Sequence, residues 1–246
     1  MLRSTKIVAT LGPASNDPAT LERMFLAGVD VVRLNFSHGT AEDHMKRAET
    51  VREICRKTGR TVGIMGDLQG PKIRVGKFKD GKVTLKPGEA FILDADCELG
   101  DERRAGLDYK ELPRDVSAGD VLLLDDGRIE FEVERVSGNE VHCRVRHGGV
   151  LSNNKGINRR GGGLTAAALT TKDMDDIRTA AMIKVDFLAV SFPKSSADMY
   201  MARQLLRAAG GEAFLIAKIE RAEAVAPGAL EDIMSACDGI MVARGD

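Results

Sequence analysis

The chain has 246 residues, 43% of them hydrophobic, with 36 basic against 37 acidic side chains and a pI near 6.5. That is enough apolar material for one large domain, or for a domain carrying an insertion. Near-neutral charge, no Trp and only two Tyr argue against nucleic acid as a partner. No apolar run is long enough to span a bilayer and no signal segment precedes the first strand, so a membrane partner is not expected either. Cys55, Cys97, Cys143 and Cys237 are too scattered for a zinc or CxxC pattern. They read as small buried apolar residues, and free thiols suit a cytoplasmic location.

In chain order, Lys6 to Leu11 reads as a strand. Asp17-Pro18 then caps a helix ending before Gly28. Val29 to Phe36 is a second strand. Thr40 to Asp43 resembles a capping box, opening a helix with Met45, Ala48, Val51 and Ile54 at helical spacing until Gly59. Thr61 to Leu68 is a third strand. From about Pro71 to Leu164 the texture changes to short alternating runs, Val121 to Leu124, Ile129 to Val136 and Glu140 to Val145, read as an inserted antiparallel β domain. Alternation then resumes: helix Lys172 to Ile183, strand Phe187 to Phe192, helix Ser196 to Ala209, strand Phe214 to Ile219, helix Ala229 to Cys237 and strand Gly239 to Ala243.

An open doubly wound sheet and a (β/α) barrel both fit this rhythm. Charged and polar residues at the carboxyl ends of several strands favour the barrel, which brings such ends to one mouth. The expected fold class is therefore α/β: a (β/α)8 TIM-type barrel ending after about six β units, with an all-β domain inserted after strand three. The expected division is 1–70 and 165–246 for the barrel and 71–164 for the insertion.

Three strand ends carry the chemistry. Lys218 and Glu220 follow the apolar run Phe214 to Ala217 and share one strand face; Asp246 follows Gly239 to Val242 in the same manner. Two acids and an ammonium suggest a divalent-metal site with a cationic helper, the competing reading being a strand-end salt bridge and a solvated turn. Arg33, Asn35 and Ser37 form a polar row suited to anion and hard-cation contacts, against a solvated edge strand. Asp67 either completes an oxygen cage with Asn35 and Ser37 or forms a turn before Gly70-Pro71. His38 by itself reads as a loop histidine. Asp125-Asp126-Gly127 reads first as a β-turn and only secondarily as a magnesium contact. Arg159 to Gly163 reads as a basic hinge rather than a phosphate loop.

Thr5 to Ser15, Arg33 to Gly39, Asp67 to Arg74, Leu124 to Gly127, Asn154 to Asn158, Lys218 to Glu220 and Met241 to Asp246 together resemble pyruvate kinase, especially its bacterial forms. The resemblance covers essentially the whole chain, in order. It implies a (β/α) barrel with a mobile β lid after strand three, and phosphoryl transfer from phosphoenolpyruvate to ADP, giving pyruvate and ATP. It further implies Mg²⁺ or Mn²⁺ on Glu220 and Asp246, and substrate contacts from Arg33, Lys218, Gly245 and Asp246. Lys218 and Arg33 are then the catalytic cations. A monovalent cation falls to Asn35, Ser37, Asp67 and Leu68, and nucleotide contacts to Asn35, His38, Arg74 and Lys155.

The chain departs from the pattern twice. Lys72 stands where potassium-dependent members carry glutamate, so its ammonium is expected to replace K⁺ and make activity independent of it. The family also continues beyond Asp246 with two further barrel units, an active-site threonine and a regulatory domain, and the full-length protein is expected to be a homotetramer. The chain is accordingly expected to be truncated, poorly active alone and aggregation-prone. The competing functions are a metal-dependent enolpyruvate-type aldolase barrel and a silent or regulatory fragment.

Overall fold

A computed structural model describes residues 3–242, divided into two compact units. The first comprises residues up to Pro71, Ala167–Glu220 and Ala224–Val242; the second comprises Lys72–Ala166 with 221–223. Six parallel strands form the sheet of the first unit: β1 (Val8–Thr10), β2 (Val31–Asn35), β3 (Gly63–Asp67), β4 (Phe187–Val190), β5 (Phe214–Ile219) and β6 (Gly239–Val242). Their spatial order is their chain order. An open doubly wound sheet reverses direction at a switch point, and this one has none. Successive right-handed crossovers in one direction put every connecting helix on the same face, the arrangement of a barrel wall.

Five helices make that layer: α1 (Pro18–Ala27), α2 (Ala41–Thr58), α3 (Thr171–Met182), α4 (Ser196–Ala208) and α5 (Ala229–Ala236). Their starts are locally encoded. Asp17 accepts the Thr20 N–H, and capping boxes Thr40/Asp43, Thr170/Asp173 and Ser195/Asp198 open the next three helices. Leu21, Phe25, Val51, Ile54, Ile177, Met199, Leu206 and Ile233 pack against Val32, Leu34, Ile64, Leu188, Val190 and Leu215. The expected α2 stripe is corrected at one position: Met45 is exposed, and its neighbour His44 is buried edge-on against Phe36 at 4.5 Å. Of the cysteines only Cys143 is buried, and burial pushes its thiol up to about 12; the other three are partly exposed.

A recurring aspartate fixes strand register. Asp30, Asp186 and Asp238 each immediately precede an even-numbered strand. The carboxylate of each accepts the backbone N–H of one residue on the preceding strand side, Ile7, Ile64 or Leu215, at 2.7 Å in every case. Its own N–H donates to the carbonyl of that same residue, at 3.0, 2.8 and 2.8 Å. The carbonyls of Asp30 and Asp186 then accept the N–H of Gly63 and Phe214, tying on the next strand. One short acceptor side chain thus secures both polar groups of a neighbouring residue, at strand entrances where the ladder has yet to begin.

The second unit holds a six-stranded sheet in the order Ile157–Arg159, Val121–Leu124, Ile129–Ser137, Glu140–His147, Ala90–Asp94 and Arg104–Ala105. It has its own core, in which Phe91 and Phe131 meet at 5.4 Å. The expectation of an antiparallel unit is corrected at two pairings, both parallel: Ile92 with Arg104 at the edge of this sheet, and Lys77 with Leu99 in a separate two-stranded sheet. Asp125 and Asp126, at φ 50° and 55°, form the turn between Val121–Leu124 and Ile129–Ser137. No helix among the described residues is long and apolar enough to cross a membrane.

His44 gives the first unit a pH dependence. Burial first, then Arg47, lowers its pKa below the ordinary value; the backbone of His38 opposes this, Lys172 adds a smaller lowering and the Asp43 carboxylate a still smaller opposition. The unfolded chain therefore binds a proton near pH 6.5 that the folded chain refuses. Stability from this group is complete above about pH 6.5 and is lost as pH falls toward the folded value. Between pH 7 and pH 5 the thermal midpoint should fall, and more shallowly in a His44→Phe variant.

Candidate active site

The carboxyl ends of the first five strands of the sheet are polar. In the parallel register Thr10 lies beside Arg33, Asn35 beside Asp67, and Asp67 beside Ala189, two residues before Ser191. Apolar Val32, Leu34 and Phe36 point into the core, so strand alternation turns Arg33 and Asn35 to the opposite face.

Asp67 is the centre. It is only 1% exposed and ends β3, so it is a buried strand residue and not the turn-forming aspartate of the competing reading. Arg33 Nε and Nη2 both reach its Oδ2 at 2.5 Å, while Arg33 Nη1 donates to Thr10 Oγ1 at 3.0 Å. Lys218 Nζ stands 3.2 Å from the other oxygen, Oδ1. The same ammonium pairs with Glu220 Oε1 at 2.9 Å and donates to Ser191 Oγ at 2.7 Å. Lys218 and Glu220 thus form the ion pair of the simpler reading, inside a larger cluster than that reading allows. Two cations face two carboxylates, with Arg33 the most exposed of the four side chains at 25% and so the one open to an incoming anion.

The turn after β4 supports this cluster. Ser191 is buried, and its Oγ donates to the Leu68 carbonyl at 2.7 Å. Phe192 adopts φ 56°, rare for a bulky residue, and its N–H donates to Glu220 Oε2 at 3.1 Å. Gly70, at φ 67°, lies so close that a β-carbon there would stand 2.6 Å from Ser191 Cβ. Only glycine meets both demands. Its N–H is taken by the buried Asp173, whose other oxygen caps α3.

Sequence reasoning missed Ser191, Thr10 and Asp173. Ser191 carried a usable signal, a polar residue closing an apolar run, but extending that strand to Phe192 concealed it. Of the expected cation-cage groups, Asn35 Oδ1 accepts the Ser37 N–H at 3.0 Å, and Ser37 lies in the turn beyond β2. His38 is exposed in that turn. Gly245 and Asp246 lie outside the described residues, as does Ala243, the expected end of the last strand.

Glu220 offers the hard oxygen donor that Mg²⁺ or Mn²⁺ takes, and the buried Asp67 Oδ1 has the Lys218 ammonium at 3.2 Å as an ion-pair contact but accepts no well-formed hydrogen bond, so the donor chemistry fits cations. Among the described residues no three His, Cys, Asp or Glu side chains cluster as a metal set. In the second unit, Lys155 pairs with Asp125 at 2.6 Å and Arg74 Nη1 donates to the Asn154 carbonyl at 3.0 Å. Lys72 lies along Gly156 in that same unit.

Fold and site define a (β/α)-barrel protein with a charged centre at its strand ends and an inserted β unit. The chain belongs to the pyruvate kinase family: the family model for the pyruvate kinase barrel domain matches residues 2–246. Similar proteins include pyruvate kinase of Haemophilus influenzae and pyruvate kinase II of Salmonella typhimurium, each 58% identical over all of this chain and 52% of their own length. Pyruvate kinase of Thermococcus litoralis is 45% identical over 98% of this chain and 50% of its own. The chain spans about half the length of the curated relatives it matches.

Removing the central carboxylate should leave Arg33 without its carboxylate partner and the buried Lys218 with Glu220 alone. Asp67→Ala is expected to cost about 3 to 5 kcal/mol of unfolding free energy, measured by denaturant titration, and Asp67→Asn less.

Proposed function

We propose that this chain carries the phosphoryl-transfer centre of a pyruvate kinase, converting phosphoenolpyruvate and ADP to pyruvate and ATP. The observation that carries the reading is the Lys218 ammonium, held among Asp67, Glu220 and Ser191 beside the Arg33 guanidinium. Ser191 has no base beside it, since its oxygen accepts from an ammonium and its proton goes to a carbonyl. It is not set up as a nucleophile. Two fixed cations suit instead direct transfer of a phosphoryl group, where catalysis consists of positioning and charge stabilisation.

In this reading Arg33 holds the phosphoryl oxygens. Lys218 lies between the migrating group and the developing enolate, stabilising charge without taking a proton. Glu220 holds Mg²⁺ or Mn²⁺ together with Asp246, while Gly245 lets the backbone approach the substrate carboxylate. When bound, the divalent ion supplies Lewis-acid stabilisation of that enolate oxygen. Asn35, His38, Arg74 and Lys155 are assigned to the nucleotide. Asn35, Ser37, Asp67 and Leu68 are assigned to the monovalent cation, with Lys72 supplying a permanent positive charge in its stead. The complete protein is read as a cytoplasmic homotetramer.

The aldolase reading shares the strand-end acids but needs neither the inserted β unit nor Lys155, and no observation favours it. ATP formation from phosphoenolpyruvate and ADP with Mg²⁺, followed by luminescence, tests the assignment. Lys218→Met should lower the rate by about 10² to 10³-fold. A chain inactive under every condition, or one in which that variant matches the parent, overturns the assignment. Replacing KCl by a size-matched inert salt should leave the rate unchanged; strong stimulation by K⁺ removes the role given to Lys72.

A further inference from the structure

The divalent ion and Lys218 compete for one carboxylate. The Lys218 ammonium has three N–H donors and three oxygen neighbours: Ser191 Oγ at 2.7 Å, Glu220 Oε1 at 2.9 Å and Asp67 Oδ1 at 3.2 Å. The lysine side chain is 12% exposed, so water supplies little of what a lost partner would have given. An ion taking Glu220 draws that oxygen away from the ammonium. What remains to hold the lysine is Asp67 and Ser191.

Asp67 is itself shared, because Arg33 occupies its other oxygen twice over. Ser191 is not shared in this way. Its single proton is committed to the Leu68 carbonyl at 2.7 Å, which leaves its lone pairs to accept from Lys218. Direction along the chain Lys218 to Ser191 to Leu68 is thereby fixed.

We propose that Ser191 is a positioning residue that keeps the Lys218 ammonium in place when Glu220 is given to the divalent ion. This rests on the reading of Glu220 as a ligand of that ion. Without the hydroxyl, an ammonium giving up Glu220 retains one shared carboxylate, and it holds Glu220 more tightly instead. Ser191 therefore raises the affinity of the centre for the metal through the lysine, without touching the metal.

Binding of Mn²⁺ alone to the 246-residue chain, read from the electron paramagnetic resonance signal of the free ion, tests this without turnover. Ser191→Ala should weaken Mn²⁺ binding by about fivefold, the worth of one net hydrogen bond. Ser191→Thr, which keeps the hydroxyl, should stay within about twofold of the parent. Lys218→Met should bind Mn²⁺ more tightly, and adding Ser191→Ala to it should change nothing further, an outcome that a merely structural role for Ser191 would not give. Should Ser191→Ala fail to fold, Ser191→Cys carries the test, since a thiol is a poor partner for both neighbours and should weaken binding likewise. Unchanged affinity in Ser191→Ala or Ser191→Cys, or equal loss with and without Lys218, overturns the proposal and leaves the reading of Glu220 standing. A parent chain that does not bind Mn²⁺ overturns both.

Discussion

A carboxylate with almost no access to water sits between two cations, and the rest of the site follows from that placement. Asp67 takes Arg33 on one oxygen and Lys218 on the other, so the two cations and the carboxylate hold one another in place. Each partner then passes the constraint outward. Arg33 reaches Thr10 on the first strand, while Lys218 reaches Ser191 beyond the fourth and Glu220 beyond the fifth. Ser191 closes the loop back to Leu68, next to Asp67 itself. Five strand ends are bound into one polar network by these side chains.

Much of this was visible in the sequence because the signals were local. Capping residues marked the starts of the first two helices, and a change from helical to alternating texture set off the stretch after the third strand. The polar row Arg33, Asn35 and Ser37 and the pair Lys218 and Glu220 stood out for their place at the ends of apolar runs. Information that depends on a distant partner was not legible. Asp67 read as either an oxygen-cage member or a turn residue, and its place between Arg33 and Lys218 was in neither reading. His44 displaced Met45 from the core because the Phe36 ring edge, outside the helix, was there to receive it. Ser191 and Phe192 looked like strand because nothing local announces a left-handed residue that is neither glycine nor asparagine.

The centre is economical in its chemistry. Among the described residues it contains fixed positive charge, hard oxygen atoms and no base positioned against a nucleophile, a composition in keeping with the proposed transfer, in which charge moves and the protein forms no covalent bond. Its backbone geometry is less relaxed. The left-handed Phe192 is an intrinsically unfavourable conformation, offset by an N–H directed at Glu220 and by burial of the ring.

The three aspartate nodes bear on how the fold tolerates its own insertion. The Asp30 and Asp238 nodes each span 23 residues of chain, while the Asp186 node spans 122, with the same carboxylate-to-amide distance. For a flexible connection that difference in length costs about 1.5 kcal/mol of closure entropy. It imposes no change in register, since alignment is decided by a single residue at the strand entrance and not by the length of the path leading to it. The third and fourth strands are therefore a permissive junction: a whole domain can be lengthened, shortened or exchanged there while the strands on either side stay in step.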